Sequence, residues 1–340
     1  MRLDLLAIMV ASVLLAGCTS RPETGSQDAC ALEQASWIGA PWDSESYDRD
    51  VIQPAPLLRK EFTVNGKIRS ATAYVTGLGF FELYINGKRI GDEVLCPNET
   101  SYSHRTEVLA KAGIPAIDTL WRSFRVMYMT YDITSELRRG ENVAAAVLGN
   151  GFYATDRARW GSAYGTPRFI CRIDLTLADG SRQTIVSDDS WMAHRGPIVL
   201  NDMFEGEVYD ARLEVQHWAE SGCGEEGWEP VALRQAPDGQ LVPHTDTYDR
   251  VVEVLRPVSI EKLADGSWDV DFGDYVTGWV RLNGIDVPRG DTLEVLHPIE
   301  TKGNGEYRFI SAGEKVASYA PRFVWWAFRK VVVKGWGGEL

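Results

Sequence analysis

The sequence predicts an all-β fold, built as two β-sandwich or jelly-roll domains. Three observations carry that prediction. Asn86-Gly87 follows the alternating run Phe81-Glu-Leu-Tyr-Ile85, and Asn and Gly both tolerate the positive φ that a two-residue type I′ hairpin requires. Short apolar or alternating runs then recur along the chain, separated by Gly-containing turns such as Asp179-Gly180 and Asp265-Gly266. This spacing fits sandwiches and jelly rolls rather than alternating βα units. Finally, no period of about 20–50 residues repeats, which argues against a solenoid or a propeller.

Composition sets the outer limits. The chain has 340 residues, 44% of them hydrophobic, with 12 Trp, enough to fill two cores and to exclude general disorder. A formal charge of −13 disfavours nucleic acid and electrostatic docking on anionic lipid.

Leu5 to Ala16 is an apolar run after a short polar start. It is too short for a bilayer span of about 20 residues and has the length of a signal-peptide core. Leu15-Ala-Gly-Cys18 resembles a bacterial lipobox, in which the cysteine is acylated and becomes the new N-terminus. The expectation is a signal peptide over 1–17, lipidation at Cys18, and a lipid-anchored linker over 18–35. Thr19-Ser20 in place of an Asp favours outer-membrane sorting in the envelope. Cys30, Cys96, Cys171 and Cys223 remain. They allow three disulfide pairings that sequence does not choose between, and small buried thiols are the other reading.

In chain order, Ser36 to Trp42 reads as a short aromatic strand and Leu57 to Val64 as a longer one, with a turn at Asn65-Gly66. Ala71 to Gly91 is the hairpin region, and Gly77-Leu-Gly79 inside it suggests a bulge. Residues 105–126 break the rhythm, with a possible helical turn before Pro115. Phe124 to Tyr131 returns to strand, and Val143-Ala-Ala-Ala-Val-Leu148 is a continuous apolar run expected of a central strand. Phe169 to Leu177 and Arg182 to Val186 flank Asp179-Gly180. The turn-rich stretch around 213–245 suggests a junction. Beyond it, Ser259 to Leu263, Trp268 to Phe272, Gly278 to Leu282, Thr292 to Leu296 and Phe323 to Val333 form a second β region.

Several of these stretches together carry a family resemblance. Phe81-Glu-Leu-Tyr-Ile-Asn-Gly-Lys-Arg-Ile-Gly91, Tyr131-Asp-Ile-Thr134, Gly140-Glu-Asn142, Leu148-Gly-Asn-Gly-Phe-Tyr153 and Gly206-Glu-Val-Tyr-Asp-Ala-Arg-Leu-Glu214 resemble, in order, the N-terminal domain of bacterial α-L-rhamnosidases. Asp271-Phe-Gly-Asp274, Gly278-Trp-Val-Arg-Leu282 and Pro321-Arg-Phe-Val-Trp-Trp-Ala-Phe-Arg-Lys-Val331 resemble the β-domain that follows it. The resemblance covers roughly residues 36–335. It implies a jelly-roll domain over 36–215, a junction over 216–245 and a concanavalin-like second β-sandwich over 246–340. It also places the family's hydrolytic carboxylates on an (α/α)6 barrel after these domains. Nothing up to Leu340 offers the long amphipathic helices of such a barrel, so no catalytic residue is assigned here.

Two functions follow from the resemblance. One is the non-catalytic N-terminal portion of a glycosidase that removes terminal rhamnose by inversion and packs against its catalytic domain. The other is a stand-alone carbohydrate-binding lipoprotein assisted by calcium, since some relatives hold rhamnose and calcium on this jelly roll.

Sugar recognition needs an aromatic face and planar polar groups. Tyr102, Asn150, Tyr153 and Trp160 are the loop candidates for carbohydrate. Asn98, Glu99 and Asp156 are those for Ca2+, which takes six to eight oxygens. Asn150-Gly151 reads more readily as a turn, and Trp160 as a core cover. Within 205–214, Glu207, Asp210 and Arg212 read as a hydrolytic pair with a cation, or as a structural network at the domain junction. The five His show no metal-binding spacing, and no GxSxG, P-loop or dinucleotide fingerprint is present.

Overall fold

The computed structural model describes residues 32, 34–46, 51–103, 124–155, 164–297 and 305–339. Cys18, the 18–35 linker up to residue 31, residues 104–123, Asp156 and Trp160 lie outside the described residues. The all-β prediction holds: the strands gather into three large sheets and a two-stranded ribbon.

The first sheet runs in the order Ala232–Leu233, Ile38–Gly39, Arg168–Leu177, Ile68–Leu78, Arg125–Asp132 and Gln240–Pro243, with Arg182–Val186 also paired to Arg168–Leu177. The second runs Glu229–Pro230, Met192–Arg195, Pro56–Val64, Gly140–Gly149, Phe80–Ile85 and Lys88–Arg89. Their inner faces close over one core, where Val75, Phe169 and Ile173 meet Leu58, Leu83 and Leu148.

The Asn86-Gly87 turn forms as expected, with φ of 50° and 83°, and joins Phe80–Ile85 to Lys88–Arg89. Gly77-Leu-Gly79 is not a bulge. Gly79, at φ 98°, is the corner at which the chain leaves the first sheet for the second. A Cβ there would overlap the carbonyl of Gly149, so only glycine fits.

Burial explains the apolar run Val143–Leu148. Ala144, Ala146 and Leu148 face the sandwich core. Val143 and Ala145 pack under Ala219, and Val147 joins the core of the second β region. The strand is covered on both faces, which removes the reason for alternation.

The third sheet runs Ile198–Asp202, Gly206–Asp210, Gly305–Ile310, Thr292–His297, Trp326–Lys334, Trp268–Gly278 and Ser259–Lys262. Leu282–Ile285 and Val316–Tyr319 form the ribbon, and Leu282, Ile285 and Tyr319 pack into the same core as Val295, Phe309 and Val331. Hydrogen bonding crosses the expected divisions at 215 and 245. Gly206–Asp210 pairs in parallel with Gly305–Ile310, while Gln240–Pro243 returns to pair in parallel with Arg125–Asp132.

Cys96 and Cys171 are free and buried, and Cys223 is free and half-buried. Burial pushes both buried thiols up to about 12, so they are packing groups rather than nucleophiles.

Candidate functional site

The alternation in Phe80–Ile85 decides what lies between the two β regions. Phe81, Leu83 and Ile85 enter the sandwich core, which leaves Glu82 and Tyr84 on the opposite face. There they meet the chain as it returns from the third sheet.

That return is tightly built. Asp202 Oδ1 accepts from the amides of Phe204 and Glu205 at 2.8 and 3.1 Å and turns the chain into Gly206–Asp210. Asp210 then caps a 3-10 turn over Ala211–Leu213, accepting from the Arg212 amide at 3.1 Å. Its carboxylate also takes the Arg212 guanidinium at 2.8 and 2.6 Å, which holds Asp210 below its ordinary range. Glu207, on the same strand, is 1% exposed and accepts from the Tyr319 hydroxyl at 2.6 Å and from the amides of Arg322 and Phe323 at 3.0 and 3.1 Å. Burial raises Glu207, and those donors only partly offset it. The 207–212 cluster is thus a structural network: Asp210 and Arg212 satisfy each other, and Glu207 is occupied by the segment that carries Arg322.

After the 3-10 turn the chain crosses the outer face of the second sheet. Trp218 packs edge to face on Tyr84, with ring centroids 5.1 Å apart and planes at 64°. A cavity of 390 Å3 remains between the two β regions, with Tyr84, Tyr209, Glu214, Gln216, Trp218 and Arg322 on its wall. The Tyr84 hydroxyl donates to Glu82 Oε2 at 2.7 Å, and Tyr209 donates to Glu214 Oε1 at 2.5 Å. Burial and the neighbouring carboxylates raise both phenols, so they stay protonated. Burial opposes the Arg322 charge, yet Glu82, Tyr84, Tyr209 and Glu207 outweigh it and hold the guanidinium above its ordinary value.

Of the residues singled out in the sequence for sugar and calcium, the described ones lie elsewhere. Tyr102 and Tyr153 do meet, with centroids 5.3 Å apart and Tyr164 against both at 5.2 and 5.5 Å. Both are buried at 2% and 3% exposure in a cluster with Trp37 and Val126. Asn150 instead clasps Asn201: its amide donates to Asn201 Oδ1 at 2.6 Å and its Nδ2 to the Asn201 carbonyl at 2.8 Å. Asn98 is half-buried and Glu99 exposed on the loop after Pro97. Among the described residues no group of three His, Cys, Asp or Glu is placed to hold a metal ion.

Sequence reasoning missed Tyr84, Trp218 and Arg322. The one available signal was a lone indole in the polar stretch Gln216-His-Trp218.

A second concavity, of 650 Å3, lies between the extended segment 250–257 and the third sheet, with Phe272, Trp279, Phe328 and Trp336 on its wall. That segment is apolar and open: Val252 is 95% exposed, and Val254 and Val258 are also exposed.

Comparison with known proteins gives consistent matches. The family model of the α-L-rhamnosidase N-terminal domain matches residues 66–112 and 110–253. An α-L-rhamnosidase of Streptomyces avermitilis is 32% identical over 323 residues, covering 90% of this chain and 29% of that protein. One from Formosa agariphila is 29% identical over 311 residues, 83% of this chain and 30% of the other. Among solved structures, the α-L-rhamnosidase from Dictyoglumus thermophilum superposes with a TM-score of 0.76 at 30% identity, over 90% of this chain and 34% of that one. The Streptomyces avermitilis α-L-rhamnosidase complexed with L-rhamnose gives 0.76 at 29% identity, over 85% and 28%. The chain therefore spans about a third of the length of the relatives it matches.

Proposed function

The chain belongs to the family of α-L-rhamnosidase N-terminal domains, and from that we infer that it is the non-catalytic, β-rich portion of an α-L-rhamnosidase-like glycoside hydrolase acting on terminal α-L-rhamnosyl glycans. The observation that carries this reading is the extent of the match. Nearly all of this chain aligns with about a third of each α-L-rhamnosidase, in both sequence and fold. The apolar, open segment 251–258 supports the same reading, because soluble monomers rarely leave such a stretch uncovered. It suits a neighbouring domain of the same enzyme. On this reading the two β regions scaffold catalysis that occurs outside them.

The test has two parts. The DNA beyond codon 340 is expected to encode a helical barrel in frame. The longer product is expected to hydrolyse p-nitrophenyl α-L-rhamnoside, while residues 1–340 alone do not. Hydrolysis by the 340-residue chain itself would overturn the reading.

The family resemblance also motivates calcium-assisted rhamnose binding through Asn98, Glu99 and Asp156, with Tyr102, Asn150, Tyr153 and Trp160 at the sugar. A rhamnose titration with and without EDTA tests that reading, and unchanged affinity in EDTA removes the calcium. Envelope attachment through acylated Cys18 rests on Leu15-Ala-Gly-Cys18. Cys18→Ala is expected to release the protein from the membrane fraction.

A further inference from the structure

The cavity behind Tyr84 and Trp218 has the composition of a ligand site, and it is separate from the loops that carry Asn98 and Tyr102. Its 390 Å3 falls within the ~300–1,000 Å3 common to small-molecule pockets. Three kinds of group line it. Tyr84 and Trp218 are only partly buried, so their joined rings give the cavity an apolar wall. Arg322 keeps 37% of its side chain exposed. Among the described residues its side-chain ion pair is with Glu82, at 3.6 Å, too long for a hydrogen bond. Arg322 lines the cavity, and a guanidinium with no hydrogen bond to Glu82 at that distance has N–H donors to offer. Glu214, Gln216 and Glu220 complete the lining with acceptors and an amide.

The balance of these groups selects the ligand. Glu214 and Glu220 oppose an anion, and the permanently charged Arg322 opposes a cation. A purely apolar ligand would strand the guanidinium and the carboxylates. A neutral polyol ring satisfies both requirements. Its C–H face lies on an aromatic wall, while its hydroxyls accept from Arg322 and donate to a carboxylate.

We propose that this junction cavity binds a neutral saccharide unit, with Trp218 as its stacking wall and Arg322 as its hydroxyl donor. The site lies where the two β regions meet, so occupancy would tie them more firmly together. The proposal does not depend on the chain being part of a rhamnosidase, which the DNA past codon 340 decides separately.

The test is isothermal titration of the full chain with L-rhamnose, D-galactose, D-glucose and D-mannose, repeated in EDTA. At least one sugar is expected to bind saturably in EDTA. Trp218→Ala is expected to weaken that binding by about tenfold, the scale of one lost aromatic contact. Gln216→Trp, at an exposed position on the lining, is expected to block entry without disturbing the core. It decides the matter should Trp218→Ala fail to fold. The proposal is overturned if none of the four sugars binds in EDTA, or if the binding seen in EDTA survives Gln216→Trp.

Discussion

Tyr319 donates its hydroxyl to Glu207 at 2.6 Å, and both side chains are buried. The bond joins Val316–Tyr319 of the ribbon to Gly206–Asp210 of the third sheet. The same carboxylate takes two backbone amides from the segment carrying Arg322. Glu207→Ala would leave all three donors buried without an acceptor. That should cost about 2–4 kcal/mol, with Glu207→Gln, which keeps one acceptor oxygen, costing less. Urea denaturation of the three proteins gives the ranking, and equal midpoints would refute the network.

The Asn150–Asn201 clasp makes a separate prediction. Asn201→Ala removes the acceptor of the Asn150 amide and should destabilise by about 1–3 kcal/mol. Asn150→Ala should also lower the melting temperature, whether or not any sugar is present. A variant that lost sugar binding at full stability would instead mark Asn150 as a ligand contact.

Two glycines should respond differently to alanine. A Cβ on Gly149 would overlap the ring of Phe323, which is buried and stacked on Phe80 at 6.5 Å. Gly149→Ala should therefore cost about 1–3 kcal/mol through overpacking. Gly140, at φ 93°, has nothing within 4 Å of a Cβ. Gly140→Ala should cost only the backbone strain, about 1 kcal/mol. Thermal melts compare the two, and the reverse order would count against the packing described at Phe323.

His297 sets a pH dependence. Its ring stacks on Trp326 with centroids 4.2 Å apart, and Nδ1–H donates to the Gly305 carbonyl at 2.8 Å. Burial pushes its pKa down from 6.5 to about 4. Between those values the unfolded chain binds a proton that the fold does not, so stability must fall as pH drops from 6.5 towards 4. This group alone contributes on the order of 3 kcal/mol across that window. His297→Phe keeps a ring against Trp326 and should flatten the slope. Denaturation at pH 7 and pH 4.5 measures it, and identical slopes in the two proteins would dismiss His297 as the cause.

Local signals were the ones the sequence could display. Asn86-Gly87 announces its hairpin because both residues need positive φ, a requirement written in two adjacent letters. Val143–Leu148 announces a central strand because both faces are covered. Gly79 hides its role: a bulge and a corner between sheets make the same demand for glycine. The parallel pairing of Gly206–Asp210 with Gly305–Ile310 joins positions about a hundred residues apart, and no local pattern encodes such a partner. The junction cavity is harder still, since Tyr84, Trp218 and Arg322 come from three distant stretches. Tyr102 and Tyr153 do lie in loops, as their sequence context implies, but no local pattern shows that they pack on each other and on Tyr164.

The crossing of strands between the two β regions restricts how the gene can be cut. Ile198–Asp202 and Gly206–Asp210 precede the 213–245 stretch yet belong to the third sheet, while Glu229–Pro230, Ala232–Leu233 and Gln240–Pro243 lie within it and return to the first two. A recombination breakpoint anywhere in that stretch would part strands from their neighbours on one side or the other. The two β regions are therefore heritable only as a pair, and shuffling would have to move them as one module.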